Sequence, residues 1–458
     1  MEHKDIPWRI SPEELELARE SMRYCLEAGA SQVRVTLNKS MMDLFTILNG
    51  ELDKVTHSGD RSLSFNIFAD GRYGAFSTNR LEAGQLRDFV AEAVRTVRML
   101  APDPCRRLPD PARKATDAST GLEAGLLDSE YADMDAARRL DIALKASAFA
   151  SIRAEGYTLV SEEMEYSDSI YDNYVIDSDG LECRHIETSF EIGCETTVQD
   201  SNGDRYSGYW WESCPRFAEL PLEGCCTKAL ERAVAQMGPR GHEGGRCNMV
   251  VENEVASRLV NPLLKALNGF ALQQQNSFLL DSLGKQLFPE GFSIVDRPRA
   301  VGKNGARWFD SEGTATRDMD IIRDGKVATY FINTYMSGKM EMEPTIEDSV
   351  RASILPYSRD GKTKPGTGAA ELMEMMGEGI LVTGFNGGNC NGATGDFSFG
   401  IEGFAFSGGR PAYPVRGMVI TGNMMELWNS LAAAGDDPRP GMNKSIPSLA
   451  FENVDFSA

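Results

Sequence analysis

The sequence predicts an α+β fold, with an N-terminal domain of helices with an antiparallel sheet and a C-terminal mostly-β domain. Three observations carry this. Two stretches of helical period bracket a run of segments whose apolar residues alternate with polar ones. Asn49-Gly50 and Asp70-Gly71, dipeptides suited to two-residue hairpin turns, sit between those segments. The strict strand–helix alternation of a doubly wound parallel sheet is missing, and beyond residue 246 strand signals and glycine dominate.

The first helix starts at Ser11-Pro12-Glu13-Glu14, a capping box with proline at the first helical position. Leu15, Ala18, Met22 and Leu26 give it one apolar face, and Gly29 supplies the left-handed position after it. Val33, Val35 and Leu37 then switch to period two, with further strand-like runs near 43–48, 52–57, 62–69 and 72–78. Leu86, Phe89, Val90, Ala93, Val97 and Leu100 form a second amphipathic helix. Pro102, Pro104, Pro109 and Pro111 exclude regular structure, so 101–118 reads as an exposed connection and a sub-boundary. A helix over about 133–155, two strand pairs turning at Asp179-Gly180 and Asn202-Gly203, and a helix over 217–236 complete a first domain, 1–237. The segment from Gly238 to Gly245 holds four glycines and a proline and marks the boundary. The second domain, 246–458, opens with a strand at Met249–Val251 and a helix over 253–268. A hairpin at Asp324-Gly325 joins Met319–Arg323 to Lys326–Ile332, and strand runs follow at 379–384, 397–406 and 412–421. Gly384 to Gly400 reads as a glycine-rich loop between strands, whose tolerance of positive φ suits a functional role.

Composition narrows the function. The 458 residues carry 47 basic and 68 acidic side chains, a net charge of −21, which opposes direct binding of nucleic acid. No run approaches the ~18 apolar residues of a membrane span, and the charged N-terminus lacks the apolar core of a signal peptide. Nine cysteines without C-x-x-C pairing fit reduced thiols, so a soluble cytoplasmic protein is expected.

The four histidines, His3, His57, His185 and His242, show no metal-ligand spacing; His242-Glu243 lies among glycines that exclude the helix an H-E-x-x-H site needs. Gly384 to Gly395 has five glycines but no Lys-Ser/Thr pair, so it is not a P-loop. Cys390 is the one thiol in a glycine-rich setting, while Cys225-Cys226 reads as helix-packing sulfur. The carboxylate pairs Asp310/Glu312 and Asp436/Asp437 read as solvated turn residues. Neither a catalytic residue nor a metal-ligand set emerges. Asn389, Asp396 and Ser398 are the binding candidates, with turn capping as the competing role for Asp396 and Ser398.

Several segments, in order, resemble the TldD/PmbA family, described as modulators of DNA gyrase. They are Gly29-Ala30-Ser31 with Val33-Arg34-Val35, Asn49-Gly50-Glu51-Leu52-Asp53, Phe309 to Arg317, and Ile322 to Val327. Thr394-Gly395-Asp396-Phe397-Ser398-Phe399-Gly400, Gly403-Phe404, Tyr413-Pro414-Val415, Thr421-Gly422-Asn423 and Gly435-Asp436-Asp437 are similar to the C-terminal signature of its PmbA/TldE branch. A longer Gly-Gly-Asn-Cys-Asn-Gly run before Thr394 is the departure. TldD-type members of the family carry an H-E-x-x-x-H helix and a cysteine for zinc; here Asn261, Pro262 and Ala266 stand at those helix positions.

The resemblance therefore implies a non-metal subunit of a cytoplasmic TldD/TldE-type metallopeptidase complex that processes or degrades small unfolded peptides. By the same resemblance, zinc is expected only in a TldD-type zinc-bearing paralogue, the partner, and the chain made alone is expected to form a homodimer; the histidine census and the Asn261-to-Ala266 helix without ligands predict that it holds no stoichiometric zinc. A regulatory protein that modulates DNA gyrase or a toxin–antitoxin system without proteolysis is the alternative. A free-standing hydrolase using Cys390 or Asp396 is a third reading.

Overall fold

The computed structural model describes residues 6–149, 156–361 and 364–457. Its first half is built on one long antiparallel sheet. Helix α1 (Pro12–Glu27) starts at the expected capping box: Glu14 N–H donates to Ser11 Oγ at 3.2 Å, and Ser11 N–H donates back to Glu14 Oε2 at 2.8 Å. Strands β1 (Gln32–Leu48), β2 (Glu51–Ala69) and β3 (Arg72–Thr78) follow. Their turns have positive φ at both central residues, 54° and 82° at Asn49-Gly50 and 52° and 71° at Asp70-Gly71, the geometry that matches strand twist. The runs expected at 52–57 and 62–69 fuse into β2, because the exposed stretch 51–61 is held by its ladder to β1 and not by burial.

Helix α2 (Ala83–Val97) packs with α1 over one end of this sheet, where Val33, Val35 and Leu37 of β1 meet Leu86, Val90 and Val94. Helix α3 (Ala136–Ala146) is shorter than the 133–155 expected. It stops because Ser147 Oγ and the N–H groups of Ala148 and Phe149 turn back to Glu162 Oε1, at 2.6, 3.1 and 3.1 Å. Residues 150–155 of that expectation lie outside the described residues. Strands β4 (Thr158–Asp177), β5 (Glu182–Gln199) and β6 (Arg205–Cys214) extend the sheet to the order β3-β2-β1-β4-β5-β6. Helix α4 (Cys225–Ala235) begins eight residues later than the expected 217, since Pro221 and a left-handed Gly224 (φ 91°) intervene. Helices α3 and α4 cover the other end of the same sheet face, over Met41, Phe45, Met164 and Ile192.

The expectation that 101–118 is an exposed connection needs correction. The prolines leave only a 3₁₀ turn at Pro111–Arg113, but Leu108, Lys114, Ala115 and Ala118 are buried. Ala115 and Ala118 pack with Val175, Leu181 and Phe309, so this segment fills the space between the sheet and the second half. Lys114 Nζ reaches Asp177 Oδ1 at 2.8 Å inside it.

The second half contains β7 (Gly245–Val251), α5 (Ser257–Ala266), α6 (Gly269–Gln273), β8 (Ile294–Asp296), β9 (Met319–Arg323), β10 (Lys326–Val327), α7 (Thr334–Met340), β11 (Ala352–Ile354), β12 (Tyr357–Ser358), α8 (Ala369–Met376), β13 (Glu378–Cys390), β14 (Asp396–Ser407), β15 (Arg410–Asn423), α9 (Met424–Asn429), β16 (Leu431–Ala434) and β17 (Leu449–Ser457). A small sheet has the order β10-β9-β8-β11, and a larger one runs β12-β16-β17-β15-β14-β13-β7. Because β7 also pairs with β17, strands β7, β13, β14, β15 and β17 close into a barrel. Alternation along β7 sorts its side chains: Met249 and Val251 enter the large core, and Val250 enters a smaller one beneath α8. The stretch 384–400 is mostly not the loop expected. Strand β13 continues to Cys390 and β14 starts at Asp396, leaving a turn of 391–395 and a bulge between Asn386 and Asn389.

The Asp310-to-Thr316 segment couples the halves. Ala115 N–H donates to Gly313 O at 3.0 Å, and Ala315 N–H donates to Arg113 O at 2.9 Å. Asp310 is not a solvated turn residue. It is buried and accepts from the N–H groups of Glu312, Thr314 and Glu347 at 3.0, 2.9 and 3.2 Å. Burial, with the Glu312 charge adding to it, pushes its pKa up to about 7.

Two predictions follow from this packing. Lys114→Met leaves Asp177 buried without its cation, so it should lower unfolding free energy by about 3–5 kcal/mol in urea titrations; Lys114→Met with Asp177→Asn should cost less. For Asp310 the folded state keeps a proton that the unfolded chain has lost between its ordinary value and about 7. Its contribution to stability therefore falls as pH rises across that window. Urea midpoints measured from about pH 4 to 7 should decline less steeply in Asp310→Asn than in the unmodified chain.

Candidate functional site

A cleft of about 380 Å³ separates α5 from the tip of the β13–β14 hairpin. Helix α5 buries Leu259, Val260, Leu263 and Leu264, which leaves Arg258, Asn261, Pro262 and Lys265 on the cleft side. The facing wall is Gly388, Asn389, Cys390 and Phe399, and Asn276 and Phe278 lie between. The Arg258 guanidinium ties the walls together, donating to Gly387 O at 3.1 Å and Gly388 O at 2.8 Å and lying 4.8 Å from the Phe399 ring centre. The bulge it grips requires glycine. Gly388 has φ +77°, and a Cβ there would fall 2.0 Å from Ser398 O.

Strand pairing leaves this wall open. Strand β7 covers β13 only at Ile380 to Val382. From Gly384 to Cys390 the outer edge of β13 has no strand partner among the described residues.

The sequence-derived candidates separate here. Asn389 lines the cleft; Asp396 and Ser398 do not. Asp396 organises the hairpin turn, accepting from Thr394 Oγ1 at 2.7 Å and from Asn423 Nδ2 at 3.0 Å, and these bonds hold its carboxyl below the usual range. Ser398 is exposed between buried Phe397 and Phe399 on β14. Cys390 lines the cleft, and burial, then the Asp396 charge, raises its thiol pKa. That is the opposite of what a thiolate nucleophile needs. Arg258, Lys265, Asn276 and Phe278 were missed in the sequence. The first two were legible as the polar flank of an amphipathic helix, whereas Asn276 and Phe278 arrive from a distant turn.

This donor set does not fit a catalytic zinc. An asparagine amide, a proline ring, an alanine methyl and one raised thiol stand where three strong ligands and a base are required. The described histidines are engaged elsewhere: His57 Nδ1 lies 2.7 Å from Asp43 Oδ1, His185 Nε2 2.9 Å from Glu187 Oε2, and His242 Nδ1 2.6 Å from Glu243 O. A larger cleft of about 490 Å³ between β5 and the 441–444 turn presents Glu187 and Glu191, but His185 already occupies Glu187. The arrangement beside α5 is suited to holding a chain, through amides, a guanidinium and an open strand edge.

Alkylation of Cys390, followed by peptide mass spectrometry across pH, should show a midpoint above that of a free cysteine. Asp396→Asn should move that midpoint down; no movement would remove the Asp396 charge as a cause.

Residues 244–458 match the family described as PmbA/TldA metallopeptidase C-terminal domain, and residues 129–237 match its central domain. The Metalloprotease PmbA homolog of Haemophilus influenzae is 26% identical over 460 residues, spanning 98% of this chain and 97% of that one. Metalloprotease PmbA of Escherichia coli O157:H7 is 26% identical over 407 residues, 88% of this chain and 87% of its own length. Among solved structures, a Bacteroides thetaiotaomicron protein named for modulation of DNA gyrase superposes with a TM-score of 0.91 at 37% identity, covering 98% of this chain and 100% of that one. TldE from Thermococcus kodakarensis shares the fold, with a TM-score of 0.81 at 16% identity over 96% of this chain and 100% of that one. The matched domains, the full-length relatives and the shared fold agree: the chain belongs to the PmbA/TldD family of metallopeptidase-like proteins.

Proposed function

We propose that this chain is the PmbA/TldE-like subunit, without a catalytic metal, of a cytoplasmic two-subunit metallopeptidase, whose TldD-type paralogue carries the catalytic zinc and performs the chemistry on small unfolded peptides. The observation that carries the reading is the α5 cleft. It has an open strand edge and polar walls, yet Asn261, Pro262 and Ala266 supply no metal ligand or base. An extended peptide of varied sequence can pair with the 384–390 edge through its backbone, which gives affinity without demanding particular side chains. Arg258 and Asn389 supply the fixed hydrogen-bonding groups, and Lys265 supplies a positive charge near the mouth. The net charge of −21 disfavours a role on DNA itself. No helix among the described residues is long and apolar enough to cross a membrane.

Reconstitution tests the reading. The chain alone should leave an unfolded peptide intact, and addition of the zinc-bearing paralogue should give chelator-sensitive hydrolysis above that of the paralogue alone. Chelator-resistant hydrolysis by the isolated chain would sink the proposal. In the reconstituted pair, Asn389→Ala should raise KM roughly five- to tenfold with kcat nearly unchanged, the effect of losing about one hydrogen bond in binding. Sedimentation of the chain alone should give a dimer of the 50.3 kDa protomer.

A further inference from the structure

Glu162, Cys194 and Cys226 meet in the core of the first half. They come from β4, β5 and α4, are 0, 0 and 1% exposed, and place one ligand atom each within 4.8 Å of one another. No two are neighbours in sequence. Glu162 pairs across the ladder with Thr196, and Cys194 pairs with Met164, so the carboxylate and the Cys194 thiol share one face. The docking of α4 brings Cys226 down onto that face.

The two oxygens of Glu162 differ. Oε1 is saturated by Ser147 Oγ and the N–H groups of Ala148 and Phe149. Oε2 is buried and has no hydrogen-bond partner among the described residues. An unmatched carboxylate oxygen in a closed, apolar surrounding is costly unless a proton or a cation meets it. The sulfurs beside it make only the weak hydrogen bonds that thiols offer. Cys226 Sγ reaches Ala146 O at 3.4 Å, and Cys194 Sγ lies 3.6 Å from Thr196 Oγ1.

We propose that Glu162, Cys194 and Cys226 form a structural site for a thiophilic divalent cation, zinc foremost. The site fastens α4 and the end of α3 to the sheet. Two sulfurs and one carboxylate oxygen suit zinc better than calcium or magnesium, which take oxygen shells. Thr196 Oγ1, 3.6 Å from Cys194 Sγ, and the Ala146 carbonyl, 3.4 Å from Cys226 Sγ, are the candidates for a fourth ligand. Tetrahedral bonds of ~2.3 Å to sulfur and ~2.1 Å to oxygen need ligands roughly 3.5–3.8 Å apart, so separations of at most 4.8 Å need contract by no more than about 1 Å. Binding releases the two thiol protons to solvent, forms two metal–sulfur bonds and changes no oxidation state. The site does not depend on the peptide-binding role of the α5 cleft.

The test uses the full chain, produced with added zinc, dialysed, and assayed for metal content and for X-ray absorption at the zinc edge. We expect about one zinc per chain with two sulfur neighbours at ~2.3 Å, a structural ion that departs from the zinc-free chain expected from the sequence, an expectation resting only on the histidines and on a catalytic site at the α5 helix. Cys194→Ser with Cys226→Ser should lose that zinc, and Cys390→Ser should keep it. A metal-free chain, a shell without sulfur, or zinc that persists in the double variant and leaves with Cys390→Ser would each overturn the proposal. Should the double variant fail to fold, the absorption spectrum of the unmodified chain decides alone. Two sulfur neighbours and a chelator-induced drop in melting temperature support the site; their absence overturns it.

Discussion

The double pairing of β7 is the constraint on which the second half depends. Three residues, Met249 to Val251, pair in parallel with β13 on one edge and antiparallel with β17 on the other. One short strand thereby joins the start of this half to its last strand and closes a barrel that its neighbours alone would leave open. Closure removes two sheet edges that would otherwise present unpaired backbone. Because β7 stops at Val251, it also leaves the far part of β13 uncovered, and α5, which follows at once, forms the opposite wall of the cleft.

The first half is held by a different balance. Its strands run to 20 residues, and much of β2 is exposed, so register comes from hairpin turns and a few buried charges. Arg139 forks onto Asp168 with two 2.8 Å bonds, and Arg184 grips Asp172 at 2.9 and 2.6 Å. Such pairs are weak as net stabilisers but expensive to break singly, which suits them to fixing one arrangement among several. Arg139 pins α3 to the sheet. Asp172 also accepts from Ile10 N–H, which anchors the segment leading into α1.

The segments most like family signatures serve two purposes that sequence alone does not separate. Asp310 to Thr316 joins the halves through backbone bonds and a buried carboxyl. Thr394 to Gly400 builds the hairpin whose bulge forms the cleft wall, with Asp396 tying the turn and Asn389 facing the space. A motif can therefore mark the scaffold of a site as readily as its contacts. Here most of the chemistry beside α5 lies outside it, in Arg258, Lys265 and Asn276.

By itself the sequence determined what depends on near neighbours. The capping box at Ser11, the hairpin turns at Asn49-Gly50, Asp70-Gly71 and Asp324-Gly325, and the period-two strands all rest on interactions within a few residues, and so did the α+β class. The poverty of α5 in metal ligands was equally plain, because ligand identity is a property of residue type. Tertiary structure decided the rest. Whether 101–118 is buried, where α3 ends, and whether 384–400 is loop or strand depend on partners 15 to more than 150 residues away, such as Glu162 for Ser147 and Thr314 for Lys114. The meeting of Glu162, Cys194 and Cys226 is the clearest case, since ladder register and helix docking place those atoms together and no local spacing encodes either.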